Sequence, residues 1–242
     1  MACSEPVRIA LIHALEESVL PARQAFAEGW PEAFCFDLLD TSLAIDLAHA
    51  GQLEPSMMTR FETLARYCLA HDGRAGKTQA ILFTCSAFGP AIDALKASLP
   101  VPVLRPNEAA FAEALEHGDR IALLVTYGPS LDALRNELLA MGHALGRTIS
   151  VVPILAEGAL AALKAGDAER HDQLAAQACL ELAGVDALVL GQFSLAHAAT
   201  AVQAVVSVPV LTTPGCAIRS LRALLEPSAA DSIQTGLRHD LR

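Results

Sequence analysis

The chain has 242 residues, 53% apolar and 18% charged, with 17 basic and 27 acidic side chains and a formal net charge of −10. That composition describes a compact globular protein, one large domain or two small ones, and excludes a disordered chain. It argues equally against duplex binding or a polybasic membrane attachment, because each needs a cationic surface.

In chain order, Met1 to Pro6 lack a basic n-region, so no signal peptide is expected. Apolar runs predict strands over 7–13, 34–39, 79–84 and 101–104, then 119–126, 148–154, 186–191 and 208–212. Helical periodicity predicts helices over 18–28, 54–71, 88–98 and 107–117. A second set follows over 129–143, 157–183 (broken near Gly166-Asp167), 195–206 and 215–226. Gln192, His197, Pro209 and Pro214 interrupt the long apolar region from Val185 to Ile218, so no membrane span is expected. The tail from Pro227 onward is polar and expected to be ordered only in part.

Strands that alternate with helices imply an α/β fold with parallel sheets. The chain also contains its own alignment. Val101-Pro102-Val103-Leu104 recurs as Val208-Pro209-Val210-Leu211, 107 residues on (101 to 208), and Arg8-Ile9-Ala10-Leu11 recurs as Arg120-Ile121-Ala122-Leu123, 112 residues on (8 to 120). Two similar lobes around a cleft are expected, residues 1–105 plus 213–242 forming the first and residues 106–212 the second. The first offset places Cys85 opposite Gln192.

Cys85 is the residue that carries chemistry. It ends the run Ala80-Ile81-Leu82-Phe83-Thr84 and precedes Ser86-Ala87-Phe88-Gly89-Pro90 and an apolar-periodic stretch. A thiol there lies at the carboxyl end of a strand, where open α/β sheets bind ligands. It also lies beside a helix amino terminus, which favours a thiolate. The other cysteines are weaker candidates. Cys35, Cys68 and Cys179 fall inside predicted elements and read as buried small hydrophobes, Cys3 lies near the terminus, and Cys216 reads as helix-start packing. With no CxxC pair, the six cysteines suit free thiols in a reducing cytoplasm.

Other motifs are set aside. His71 to Thr78 ends like a phosphate-binding loop but lacks its first glycine and precedes a strand. No GxGxxG follows the first strand and no GxSxG is present. The eight histidines, including His71-Asp72 and His171-Asp172, show no convergence in sequence, so no metal site is expected. His13 and Tyr127 end strands and are candidates to line the cleft, and Thr41-Ser42 follow the second strand. Asn107-Glu108, at a predicted helix start after the first VPVL, could also reach the cleft, with helix capping the stronger reading.

These features resemble the aspartate/glutamate racemase superfamily, which also includes hydantoin racemases, maleate isomerases and arylmalonate decarboxylases. The resemblance rests on two α/β lobes, the strand-end cysteine in Phe83-Thr84-Cys85-Ser86-Ala87, and the matched Leu190-Gly191-Gln192-Phe193-Ser194. It implies two pseudo-twofold related lobes with the active site in the cleft, a small carboxylate substrate, no cofactor and no metal. A second copy of the chain, in a homo-oligomer, is a further partner to expect. Racemases of this family carry one cysteine per lobe; here Gln192 holds the second place, and its amide has no usable pKa for moving a proton. Arylmalonate decarboxylases keep a single cysteine at the second-lobe place and have a tyrosine that matches Tyr127. Maleate isomerases use the first-lobe cysteine as a nucleophile. The resemblance therefore implies Cys85 as the catalytic residue, with Ser86, Ala87, Tyr127, Gln192 and Phe193 around the carboxylate and Thr41, Ser42 and His13 as further contacts. Three functions follow as expectations: a racemase-type isomerase, a malonate-type decarboxylase using one-sided protonation, and a non-catalytic carboxylate-binding protein.

Overall fold

A computed structural model describes residues 6–226 of the chain. Cys3 and the polar tail from Pro227 lie outside the described residues.

Eight parallel strands form two four-stranded sheets. The first holds β1 (Arg8–His13), β2 (Phe34–Leu39), β3 (Thr78–Phe83) and β4 (Val103–Leu104), in the order β2-β1-β3-β4. The second holds β5 (Arg120–Val125), β6 (Ser150–Leu155), β7 (Ala187–Leu190) and β8 (Val210–Thr212), in the order β6-β5-β7-β8. The inner strands β1, β3, β5 and β7 are almost wholly buried, as their continuous apolar runs require, whereas the edge strands β2 and β6 are only partly so.

The repeat extends to register. Ile12 pairs with Phe83 in the first lobe and Leu124 with Leu190 in the second; Leu82 pairs with Leu104, and Val189 with Leu211. The Thr84 amide donates to the Ile12 carbonyl, as the Gly191 amide does to Leu124. Each pair is related by the offsets of 107 (101 to 208) and 112 (8 to 120) residues read from sequence. Between β5 and β6 the spacing grows, so Ser150 occupies the place of Phe34.

Helices α1 (Val19–Gly29), α2 (Ser42–Ala50), α3 (Pro55–Leu69), α4 (Gly89–Ser98) and α5 (Glu108–His117) follow the first four strands. The second lobe adds α6 (Leu131–Ala144), α7 (Ala159–Lys164), α8 (Ala168–Gln177) and α9 (Ala199–Gln203), and α10 (Thr213–Leu225) closes the described chain. The expected helix 157–183 is divided at Gly166, whose φ of 82° ends α7. Helix α2 departs from the sequence reading, which left residues 42–50 unassigned. Leu43 is buried and Ala44 and Leu47 pack beside it, but the exposed Ile45 between them gives the segment an alternating apolar pattern that does not single out a helical face.

Helix α10 lies between the lobes. Ala217, Ile218 and Leu221 join a core with Ile9, Leu11, Phe26, Trp30 and Leu82, while Cys216 joins the second lobe's core with Phe111, Ile121 and Val189. Phe193, from the second lobe, is buried in the first of these cores. In each sheet the chain winds outward in both directions from the central pair, so a crevice opens at the carboxyl ends of β1/β3 and of β5/β7.

Candidate active site

Both crevices contribute to one cavity. From the first lobe come Leu15 and Ser18 after β1, and Thr84, Cys85 and Ser86 after β3. Gly191, Gln192, Phe193 and Ser194 come from the second lobe, with Pro106 and Asn107 from the segment that joins the two. The interior is about 50 Å³, which suits a compact functional group better than a drug-sized ligand. A larger hollow of about 420 Å³ between α2 and α3 is lined by Asp46, His49, Glu54 and Arg60, but neither Cys85 nor Gln192 reaches it.

Cys85 caps the 3-10 turn Ser86–Phe88, and Gln192 caps the turn Phe193–Ala198. Both residues have extended backbones, with φ of −114° and −140°, so each side chain leaves its strand end in the same manner. The Cys85 turn is held from behind. Phe61 of α3 packs against Phe83 at 5.3 Å and Phe88 at 4.7 Å between ring centres, fixing the chain on both sides of the thiol. At the other strand end the space is tight: a Cβ on Gly191 would stand 2.9 Å from Leu123 Cδ1, which would have to shift, and 3.3 Å from the Leu124 carbonyl oxygen.

Gln192 is oriented by its neighbours. Its Oε1 accepts from the Thr126 backbone N–H at 2.7 Å and from the Thr126 hydroxyl at 2.8 Å. With the acceptor end so occupied, the amide presents its Nε2 donor to the cavity. Thr126 was not among the sequence candidates; nothing in its local pattern separates it from other strand-end threonines.

The thiol departs from expectation. Burial pushes the Cys85 pKa up, and the Ala87 backbone N–H, which donates toward the sulfur, only partly opposes this. The resting group is therefore a thiol: desolvation outweighs the short turn's amides. Burial also pushes Cys35 and Cys216 up to about 12 and Cys68 and Cys179 to about 11. Of the cysteines among the described residues, Cys85 alone lines the cavity.

His13 does not face the cavity. It is fully buried, and its Nε2 donates to Asp37 Oδ1 at 2.9 Å. A carboxylate only accepts, so Nδ1 of the neutral ring accepts from the Thr84 hydroxyl at 2.8 Å. Burial lowers the His13 pKa, against the raising influence of Asp37. Asp37 is in turn held by Arg23, whose Nε donates at 2.7 Å. A chain of polar contacts thus runs from the surface to Thr84, the residue before Cys85.

The remaining candidates lie off the cavity lining. Tyr127 is half exposed, and Ala87 is exposed with its amide turned to the Cys85 sulfur. Thr41 is exposed. Ser42 serves the start of α2: its N–H and hydroxyl both donate to Asp40 Oδ1, at 3.0 and 2.5 Å, and its oxygen accepts from Arg60. Asn107, by contrast, does line the cavity; it stands at the start of α5 without capping it through its side chain.

One cluster contradicts the sequence reading. His171, Asp172 and His197 converge, with ligand atoms within 4.8 Å of one another. Both imidazole Nδ1 atoms lie on Asp172 Oδ1, at 2.9 and 2.7 Å, which accounts for the grouping without an ion. The turn Phe193–Ala198 packing on α8 creates a proximity that the sequence separation hides.

The Asp/Glu/hydantoin racemase family profile matches residues 40–224, more than half of the chain. The chain belongs to the Asp/Glu/hydantoin racemase family. Its fold is similar to that of a glutamate racemase from Bacillus anthracis, at 15% identity and a TM-score of 0.67, covering 93% of this chain and 84% of that one. An allantoin racemase from Pseudomonas fluorescens aligns at 18% identity and a TM-score of 0.62, covering 90% of this chain and 91% of the other. An aspartate racemase homologue from Pyrococcus horikoshii aligns at 18% and 0.63, covering 90% and 98%. Compared with curated proteins by sequence, the chain has no significant match. Among the described residues of this family member, no helix is long and apolar enough to cross a membrane.

Proposed function

We propose that the chain is a cofactor-independent isomerase of racemase type that moves a proton beside the carboxylate of a small acid, with Cys85 as its single catalytic thiol. Family membership supports the isomerase class. The observation that carries the one-thiol reading is the shared cavity of Cys85 and Gln192 at matched strand ends.

The substrate carboxylate accepts from Gln192 Nε2, with Ser86 and Ser194 on either side. Deprotonated Cys85 takes the α-proton, breaking the C–H bond and forming S–H, while the electron pair passes into an enediolate held by the same neutral donors. The thiol returns a proton to the carbon and regenerates the acid. Because Gln192 cannot supply a proton from the opposite face, return to the same face dominates, and net isomerisation proceeds only as slower protonation of the planar enediolate by water from that opposite face. The test is incubation of small carboxylic acids in heavy water with chiral analysis: exchange at the α-carbon is expected, largely without inversion, and lost in Cys85→Ser. Unchanged exchange in that variant would overturn the reading.

The same asymmetry favours a second reading, decarboxylation of a malonate-like acid. There the C–C bond to one carboxylate breaks, CO₂ leaves, and neutral Cys85 protonates the carbanion from one side. The raised thiol pKa suits that donor. Release of CO₂ from substituted malonates distinguishes it from simple exchange.

A further inference from the structure

Asn107 is 1% exposed, lines the cavity, and finds no hydrogen-bond partner for either Nδ2 or Oδ1 among the described residues. A buried amide with neither end satisfied costs several times what a hydrogen bond returns, and few native groups are left so. The usual explanation at this position is absent, since the side chain does not cap α5. The main chain around it is fixed: the Phe111 N–H donates to the Asn107 carbonyl at 2.9 Å, and the Arg105 N–H donates to Glu108 Oε1 at 3.0 Å.

The cavity holds a second clue. None of the residues that line it is charged. The nearest cation along the chain, Arg105, is drawn off by Asp93 and Glu137. A carboxylate can be held there by neutral donors, but an α-ammonium would meet no acidic side chain, only its own carboxylate and the Cys85 sulfur. It would also leave Nδ2 without an acceptor, because an ammonium only donates. A hydroxyl on the α-carbon does both: it donates to Oδ1 and accepts from Nδ2.

We infer that Asn107 is a specificity-determining residue that reads a neutral hydroxyl on the substrate's α-carbon, so that 2-hydroxy acids and not amino acids are the substrate class. This rests on the reading of the cavity as a carboxylate site. Matched pairs test it: lactate against alanine, malate against aspartate, and mandelate against phenylglycine, with binding read by ligand-observed NMR and by shifts in melting temperature at pH 8. In at least one pair the hydroxy acid is expected to bind about ten-fold or more tightly than its amino counterpart, about 1.4 kcal/mol. Asn107→Leu, of similar size, should remove that preference while keeping the melting temperature within a few degrees. Asn107→Asp, which supplies a counter-charge, should shift it toward the amino acid. Equal or tighter binding of the amino acids by the unaltered protein, binding of no member of any pair, or an unchanged ratio in Asn107→Leu would each overturn the assignment. Exchange in heavy water is scored separately. Selective binding without exchange would leave Asn107 as assigned and remove the isomerase reading instead.

Discussion

Gln192 Oε1 accepts two hydrogen bonds from a single residue, the backbone N–H and the hydroxyl of Thr126. This pair decides which end of the amide meets the cavity. Thr126→Val keeps the backbone bond and the volume but removes the hydroxyl. The net loss is about 0.5–1.5 kcal/mol. KM for a carboxylate substrate is expected to rise about three- to ten-fold with kcat little changed. Steady-state kinetics check this, and a fall in kcat at constant KM would place Gln192 in the transition state alone.

Cys85 and Cys216 should separate cleanly. Cys216 is buried beneath Arg219, whose Nη2 donates to its sulfur at 3.1 Å, and burial pushes its pKa up to about 12. Cys85→Ser should abolish α-proton exchange, and Cys216→Ala should leave it largely intact. Measured exchange rates of the two variants give the answer directly.

The pH profile follows from the direction of the thiol's shift. With its pKa raised above the ordinary 9.0, the thiol is still mostly neutral at pH 9, and its thiolate fraction keeps rising with pH up to the raised pKa. Proton abstraction should therefore keep accelerating above pH 9, whereas decarboxylation, which needs the neutral thiol, should hold through pH 9 and fall only above the raised pKa. A plateau for exchange below pH 8 would mean that substrate binding or a neighbour lowers the pKa.

Restoring the missing thiol should change the stereochemistry. Gln192→Cys places a second sulfur at the strand end equivalent to that of Cys85. Exchange that keeps configuration in the parent is expected to become exchange with inversion. Chiral chromatography of a single enantiomer incubated with the variant provides the measurement.

His13 links stability to pH. Its pKa is lowered in the folded protein and ordinary, near 6.5, in the unfolded chain. As pH falls below about 6.5 the unfolded state binds the proton first, so stability falls until the folded pKa is reached. His171, lowered by burial in the same way, adds to that slope. His13→Asn should flatten the decline between pH 7 and 5 without abolishing it, as followed by urea melts. Stability that grew on acidification would contradict this.

The sheets were legible because the inner parallel strands are unbroken apolar runs, and because the four-residue repeats carry true register. Ile12 opposite Phe83 and Leu124 opposite Leu190 reproduce the sequence offsets without adjustment. The placing of Cys85 and Gln192 on one cavity follows from that register. What surrounds them was less legible. A residue at a strand end faces either the cleft or the layer beneath, and one position of rotation sends His13 to Asp37 instead of outward. Ser42 was claimed by Asp40 and Arg60, a competition visible only once α2 and α3 are in place. The thiol's resting state was misjudged because a helix terminus can be read along the chain, whereas desolvation depends on everything packed around the sulfur.

Helix α10 has a consequence for how the molecule comes apart. It gives Cys216 to one core and Ala217, Ile218 and Leu221 to the other, and Phe193 crosses in the opposite sense. Neither half can melt without opening the other's interior. Despite two sheets and a duplicated plan, denaturation should run as one sigmoid, and a chain truncated before Thr213 should keep both sheets but expose apolar surface on both cores.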